Sequence, residues 1–258
     1  MSVTTVAALP RLALLQTIMD AFAILSRERA RWVPAIVAVS AVCGLLQALL
    51  VYVPFSNLRL AVVCLGHLAV GACLAYVWCR LVLLNEWVMD GGGLRTRFRW
   101  AQFSGFLYYY TLICLGIVTL AAAFAASLAT MLGIGFAVLL CGLAFGLLLA
   151  RLAFVLPATA LQLPTSFYDS WMQTKGQGVR LWLIYGTTAI PAIGIVAALA
   201  FVAVILPGSL ALAFVLSFAA WCAGLVGLLG VVTLTALAYE RTVGLPERAR
   251  RLDRMVGA

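Results

Sequence analysis

The sequence predicts an all-α polytopic membrane protein: six transmembrane helices in three hairpins, with amphipathic segments on the cytoplasmic side. Three observations carry that expectation. The chain is 66% hydrophobic and 10% charged, whereas soluble domains carry about a quarter charged residues. Residues 100–150 and 181–239 contain no Asp, Glu, Lys, Arg or His. Each run is too long for one helical crossing of roughly 20 apolar residues and about right for two. Lipid offers the backbone no hydrogen bonds, so each crossing must be a helix. The short alternating segments of a β-barrel are absent.

The elements follow in order. Residues 1–10 show neither a basic n-region nor a small-residue cleavage site, so no secretory signal peptide is expected. From Pro10 to Arg31 the apolar residues Leu14, Leu15, Ile18, Phe22 and Leu25 recur at helical spacing. That pattern predicts a helix lying along the membrane surface. The six spans are placed at 33–53, 60–84, 105–127, 133–156, 181–206 and 210–239. Pro34 and Pro54 bracket the first span, and Pro191 is expected to kink the fifth. The organisation is thus an interfacial segment (1–32), a transmembrane domain (33–239) and a basic tail (240–258).

Charge placement sets the orientation. Of 17 basic residues only Arg59 falls on the first-loop side; the others lie at or beyond the opposite ends of the spans. The positive-inside rule then puts both termini in the cytoplasm. A net charge of +9 distributed in this way reads as topology signal and anionic-headgroup contact rather than as a nucleic-acid surface. The seven cysteines all lie in expected spans and form no CxxC pair. They are expected to be packing residues, with neither a disulfide framework nor a zinc site.

Few residues carry recognisable chemistry. No carboxylate lies inside a span, and His67 is the single histidine. With Cys64 one turn before it, His67 supplies at most two metal ligands, and no triad can be built on it. It is expected to hydrogen-bond to a neighbouring helix. Arg80 and Arg151 sit near span ends. Each either snorkels or pairs with Glu86, Asp90 or Asp169; snorkelling is the expectation for Arg80, while for Arg151 both readings stand, with Asp169 as the partner in reach. Gly142 and Gly146 form a GxxxG, and Gly224 and Gly227 extend small-xxx-small patterns, so these glycines are expected at helix contacts. Asp20, Phe22 and Arg31 align with Asp169, Trp171 and Arg180 at a constant offset, which suggests an internal repeat.

The longest interruption in the second half runs from Arg151 to Arg180. Its residues 164–176 are expected to form a short surface helix, capped by Thr165 or Ser166, with Phe167 and Trp171 dipping into the interface. Arg151, Pro157, Asp169, Trp171, Lys175 and Arg180 are the candidate structural or partner-binding residues. The stretch RLAFVLPA at 151–158, followed by Ser170-Trp171 and Thr174-Lys175-Gly176, resembles a pattern of bacterial six-span proteins related to the membrane domain of glycerophosphoryl diester phosphodiesterases. Asp20-Ala21-Phe22 looks like that family's opening. Gln162 departs from it, standing where an acid is often found, and the catalytic barrel fused to some relatives does not occur in this sequence. The resemblance implies a stand-alone membrane domain of the bacterial inner membrane.

The leading expectation is a non-catalytic accessory, assembly or scaffold subunit that binds lipid or a protein partner, with no cofactor. A small-solute or lipid transporter is the runner-up. A membrane-embedded enzyme comes third, since no nucleophile–base pair is present. Reporter fusions after Asn57, Met131 and Ser209 should report periplasm, and fusions after Gly92, Lys175 and Gly257 cytoplasm. One inverted pair contradicts the topology.

Overall fold

The computed structural model describes residues 13–50, 56–84, 103–116, 146–205 and 209–244. Every regular element among them is a helix: α1 (Leu14–Arg27), α2 (Arg29–Leu50), α3 (Ser56–Leu84), α4 (Phe103–Gly116), α5 (Gly146–Ala160), α6 (Phe167–Gln173), α7 (Gly178–Ile205) and α8 (Leu210–Val243). Among the described residues, four helical segments are long and apolar enough to cross a membrane: Arg29–Leu50, Cys64–Leu84, Gly178–Ala203 and Leu210–Val243. Helices α4 and α5 are apolar but shorter. Much of the expected third and fourth spans, together with Gly142, falls on residues 117–145, outside the described residues. The triple-glycine loop and the tail beyond Gly244 lie outside them as well.

The expected N-terminal helix divides at Glu28. Helix α1 stops at Arg27, and Arg29–Arg31 join α2. Pro34 therefore sits inside α2 and not at its start. Pro34 is the sixth residue of that helix, so it withholds the N–H that the carbonyl of Ala30, four residues earlier, would otherwise accept. The Glu28 carboxylate accepts from Arg27 and Arg31, and the Trp32 indole N–H donates back to Leu25 O at 2.8 Å. These bonds fix the corner. The apolar residues of α1 do not all face lipid: Leu14, Ile18 and Leu25 pack on the bundle with Thr17 and Ala21, leaving Leu15, Met19 and Phe22 exposed.

Helix α8 is the post of the bundle. It spans 34 residues, about 51 Å at 1.5 Å per residue, which exceeds a hydrocarbon core of about 30 Å. Ser209 caps its start, and α1, α2, α3, α5 and α7 all pack on it. Within lipid, apolar burial does not drive helices together, so close backbone approach and shared hydrogen bonds must do so. Both are present. A Cβ on Gly44 would lie 2.9 Å from the Phe218 backbone, so α2 and α8 meet main chain to main chain. A Cβ on Gly230 would lie 2.8 Å from Thr188 Cγ2, and one on Gly227 would collide with Ala192, which places α7 equally close. Trp78 on α3 donates its indole N–H to Thr233 Oγ1 at 2.8 Å. Helix α2 packs more extensively on α8 than on its sequence neighbour α3. The expected first hairpin is therefore not a self-contained pair.

Two apolar clusters share α8. One joins Tyr76 and Trp78 of α3 with Phe106 of α4 and Leu229 of α8; the other joins Phe154 of α5, Leu181 and Ile184 of α7 and Tyr239 of α8. Edge-on ring pairs knit both, Tyr76 with Phe106 at 5.4 Å and Phe154 with Tyr239 at 5.6 Å. At the α1 end, Arg241 donates to Asp20 and to Thr17 Oγ1, tying the N-terminal helix to the end of α8.

Candidate functional site

Two constellations stand out. The first is built where α5 meets α6. Helix α5 is interrupted at Ala153–Phe154 and resumes at Val155. The cause is Pro157, which has no N–H to offer the carbonyl of Ala153; that carbonyl accepts from Leu156 N instead, at 3.1 Å. The helix ends in a Schellman turn, with Gln162 N bonded to Thr159 O and Leu163 N to Ala158 O. Gln162 takes the left-handed backbone, at φ 64°, that this turn requires. Its role is set by the main chain, so an acid is not needed there.

Helix α6 then opens with a capping box. Ser166 Oγ accepts from Asp169 N, and the Asp169 carboxylate accepts from Ser166 N and Oγ at 2.8 and 2.7 Å. The expected Arg151–Asp169 pair does not form, because Asp169 is turned into its own helix cap. Arg151 meets Trp171 instead: its guanidinium carbon lies 3.3 Å from a Trp171 ring centroid, and Nη2 donates to Trp171 O at 2.6 Å. Arg151 Nε also donates to Thr174 Oγ1, and the buried Ser170 hydroxyl donates to Arg151 O at 2.6 Å. A Cβ on Gly178 would press on the Arg151 side chain at 3.0 Å. Arg151, Ser170, Trp171 and Thr174 thus come together, whereas Lys175 from the same stretch stays exposed. Phe167 does not share the exposed face with Trp171; it packs edge-on to Tyr109 of α4 at 5.0 Å, beside a Tyr109 OH to Thr165 O bond. Tyr168, Trp171 and Met172 make the exposed stripe. Lys175 is exposed, and Arg180 is half-buried in the first turn of α7.

Arg80 does not snorkel. It is buried, with its guanidinium over Tyr76 and Nη1 donating to Ala160 O at 3.0 Å. A cation at the carbonyl end of α5 is well placed against the helix dipole. The aligned residues of the suggested repeat also differ in role: Asp20 accepts from Arg241, whereas Asp169 caps a helix.

The second constellation is a cavity of about 610 Å³ between α2, α3, α4, α5, α7 and α8. Its walls are apolar apart from Gln47, His67, Tyr110, Trp221 and Thr235, and no charged residue lines it among the described residues. A neighbouring cavity of about 670 Å³ shares His67, Tyr110, Trp221 and Gly224. His67 stacks on Trp221, ring centroids 3.5 Å apart and planes within 14°. The Trp221 indole N–H donates to Gln47 Oε1 at 2.9 Å. Pro157 borders the same space.

The glycines divide between contact and space. Gly227 meets α7, and a Cβ on Gly146 would lie 3.0 Å from Trp182 Nε1, both contacts within this chain. Gly224 does not sit at a helix contact: a Cβ there would meet nothing within 4 Å, because Gly224 faces the cavity. Gln47 and Trp221 were missed as site residues, yet the sequence held a signal for each. An amide inside an apolar span and a Trp well away from the interfacial belt both ask for a partner. Among the described residues no three His, Cys, Asp or Glu side chains gather as metal ligands.

No family model, curated protein or solved structure matches the chain.

The Arg151 contacts give a direct test. In thermal melts in detergent, Arg151→Met and Trp171→Ala should each destabilise, with a coupling of about 0.5–1 kcal/mol for a cation–π pair at the surface. Arg151→Met combined with Asp169→Asn should be additive. Coupling to Asp169 and not to Trp171 contradicts the geometry.

Proposed function

We propose that this protein is a non-catalytic integral membrane component that holds a lipid within its helical bundle. The observation that supports this reading best is the cavity: about 610 Å³, within the roughly 300–1,000 Å³ typical of small-molecule sites. Its lining is overwhelmingly apolar, without a charged residue among those described. A space of this kind amid membrane-crossing helices suits an acyl or isoprenoid chain.

The same proposal places the chain in a bacterial inner membrane with six spans in three hairpins and both termini in the cytoplasm. Basic residues and the Tyr168–Trp171–Met172 stripe would rest on anionic headgroups there, since aromatic rings favour the interface and cations favour the negative leaflet. An accessory or scaffold role in a membrane-protein complex fits a site without reactive groups. Transport of a lipid or small solute is the second reading. Pro191 favours it, because it lies inside α7 beside the cavity-lining Ala189 and Ala192 and gives that helix a place to bend.

Lipid carried through purification in mild detergent and quantified by mass spectrometry tests the proposal. Wild type should retain a bound lipid in stoichiometric amount. Gly224→Phe places a ring in the cavity from a position where a Cβ meets nothing within 4 Å and should lose it, while Val226→Phe, on the exposed surface of α8, should retain it. Equal retention in all three contradicts the cavity as the site.

A further inference from the structure

We infer that the cavity selects an uncharged lipid, a long apolar chain ending in a hydroxyl or carbonyl oxygen, and that Gln47, with His67 and Trp221 beside it, seats that oxygen. This inference rests on the lipid-binding proposal and goes on to name the chemistry of the ligand.

Three features of the site point to that class. The first is shape. The α8 wall of the cavity runs from Ala220 to Thr235, about 22 Å of helix at 1.5 Å per residue. Gly224, Gly227, Leu228, Val231 and Val232 line it between the ends. The space is long and apolar, matching an extended chain rather than a compact solute.

The second feature is the polar end. An indole N–H can only donate, so the Gln47 atom facing Trp221 must be the carboxamide oxygen. The Gln47 NH2 group is then directed elsewhere, and no acceptor bonds to it among the described residues. Two amide N–H donors at the edge of an apolar cavity are costly without an acceptor. An oxygen on the ligand would satisfy them. The stacked His67 and Trp221 rings form a flat wall beside that position and hold the Gln47 oxygen in place.

The third feature is charge. No Lys, Arg, Asp or Glu lines the cavity among the described residues. A phosphate, carboxylate or ammonium would lose its hydration without a counter-ion, at a cost that a neutral end group avoids.

The test uses purified full-length protein and three photoreactive probes of one chain length with a mid-chain diazirine: hexadecanol, hexadecane and hexadecanoic acid. Cross-linked peptides are then located and quantified. The inference expects peptides of α3 and α8 to be labelled about tenfold more by the alcohol than by the hydrocarbon, the worth of a buried hydrogen bond. It also expects labelling by the acid to fall below that by the alcohol. In Gln47→Leu the alcohol should fall to the level of the hydrocarbon while labelling by the hydrocarbon persists.

Equal labelling of wild type by alcohol and hydrocarbon overturns the polar seat but leaves a lipid cavity, provided that Gly224→Phe abolishes both. Preference for the acid overturns the neutral-ligand assignment. Labelling that ignores Gly224→Phe, or no labelling at all, overturns the lipid-binding proposal itself. The wild-type comparison of probes stands even if Gln47→Leu folds poorly.

Discussion

The close approach of α7 to α8 is the constraint on which the rest of the bundle depends. Helices in lipid gain little from leaving it, so their association relies on how near the backbones can come. Gly227 and Gly230 remove the side chains that would hold α7 away, and Ala192 and Thr188 fill the space they leave. Gly44 does the same for α2, against the backbone of Phe218. With α8 clasped in this way, its remaining faces are free to take α3 through the Trp78–Thr233 bond and α1 through Arg241. One helix thereby organises an architecture that chain order alone would assemble as neighbouring pairs.

The same helix creates the cavity. A turn before the contact glycines, Gly224 meets no neighbour, and the space widens beside Trp221. Glycine at one register closes a helix interface; at another it opens a volume. The polar groups are spent differently at the two ends. Around Arg151, carbonyls, hydroxyls and a ring satisfy one another, which is the pattern of a structural joint. Around Gln47 the amide oxygen is used and the amide donors have no protein acceptor among the described residues, which is the pattern of a place for something else.

Much of the fold was legible in the sequence because it rests on composition and period. Charge-free runs gave the apolar helices, and the boundaries of α7 and α8 fall within a few residues of expectation. The short helix after Pro164 and its Ser166 cap were legible from turn chemistry. Partner choice was not. Asp169 has an acid's charge and a capping residue's position, and the backbone won it, leaving Arg151 to Trp171. Arg80 looked like a snorkelling cation because a sequence does not show that the carbonyl end of α5 lies beside it. Gly224 and Gly227 are indistinguishable in a small-xxx-small pattern; only the path of α7 separates them. His67 was visible as an odd residue, but its stacking on Trp221 and the Gln47 bond behind it are contacts across three helices.

The central claim is that neighbouring glycines on α8 serve opposite ends, contact at 227 and 230 and open space at 224. A side-chain size series, Gly to Ala to Val to Leu at each of the three positions, followed by thermal stability in detergent, measures this directly. The account predicts steep losses at Gly227 and Gly230, about 1–3 kcal/mol once a branched side chain is forced between the helices. At Gly224 stability should hold within about 0.5 kcal/mol, as at sites that touch nothing. Equally steep losses at all three positions would mean that the space beside Gly224 is not open, and equally small losses would mean that α7 does not clasp α8 as described.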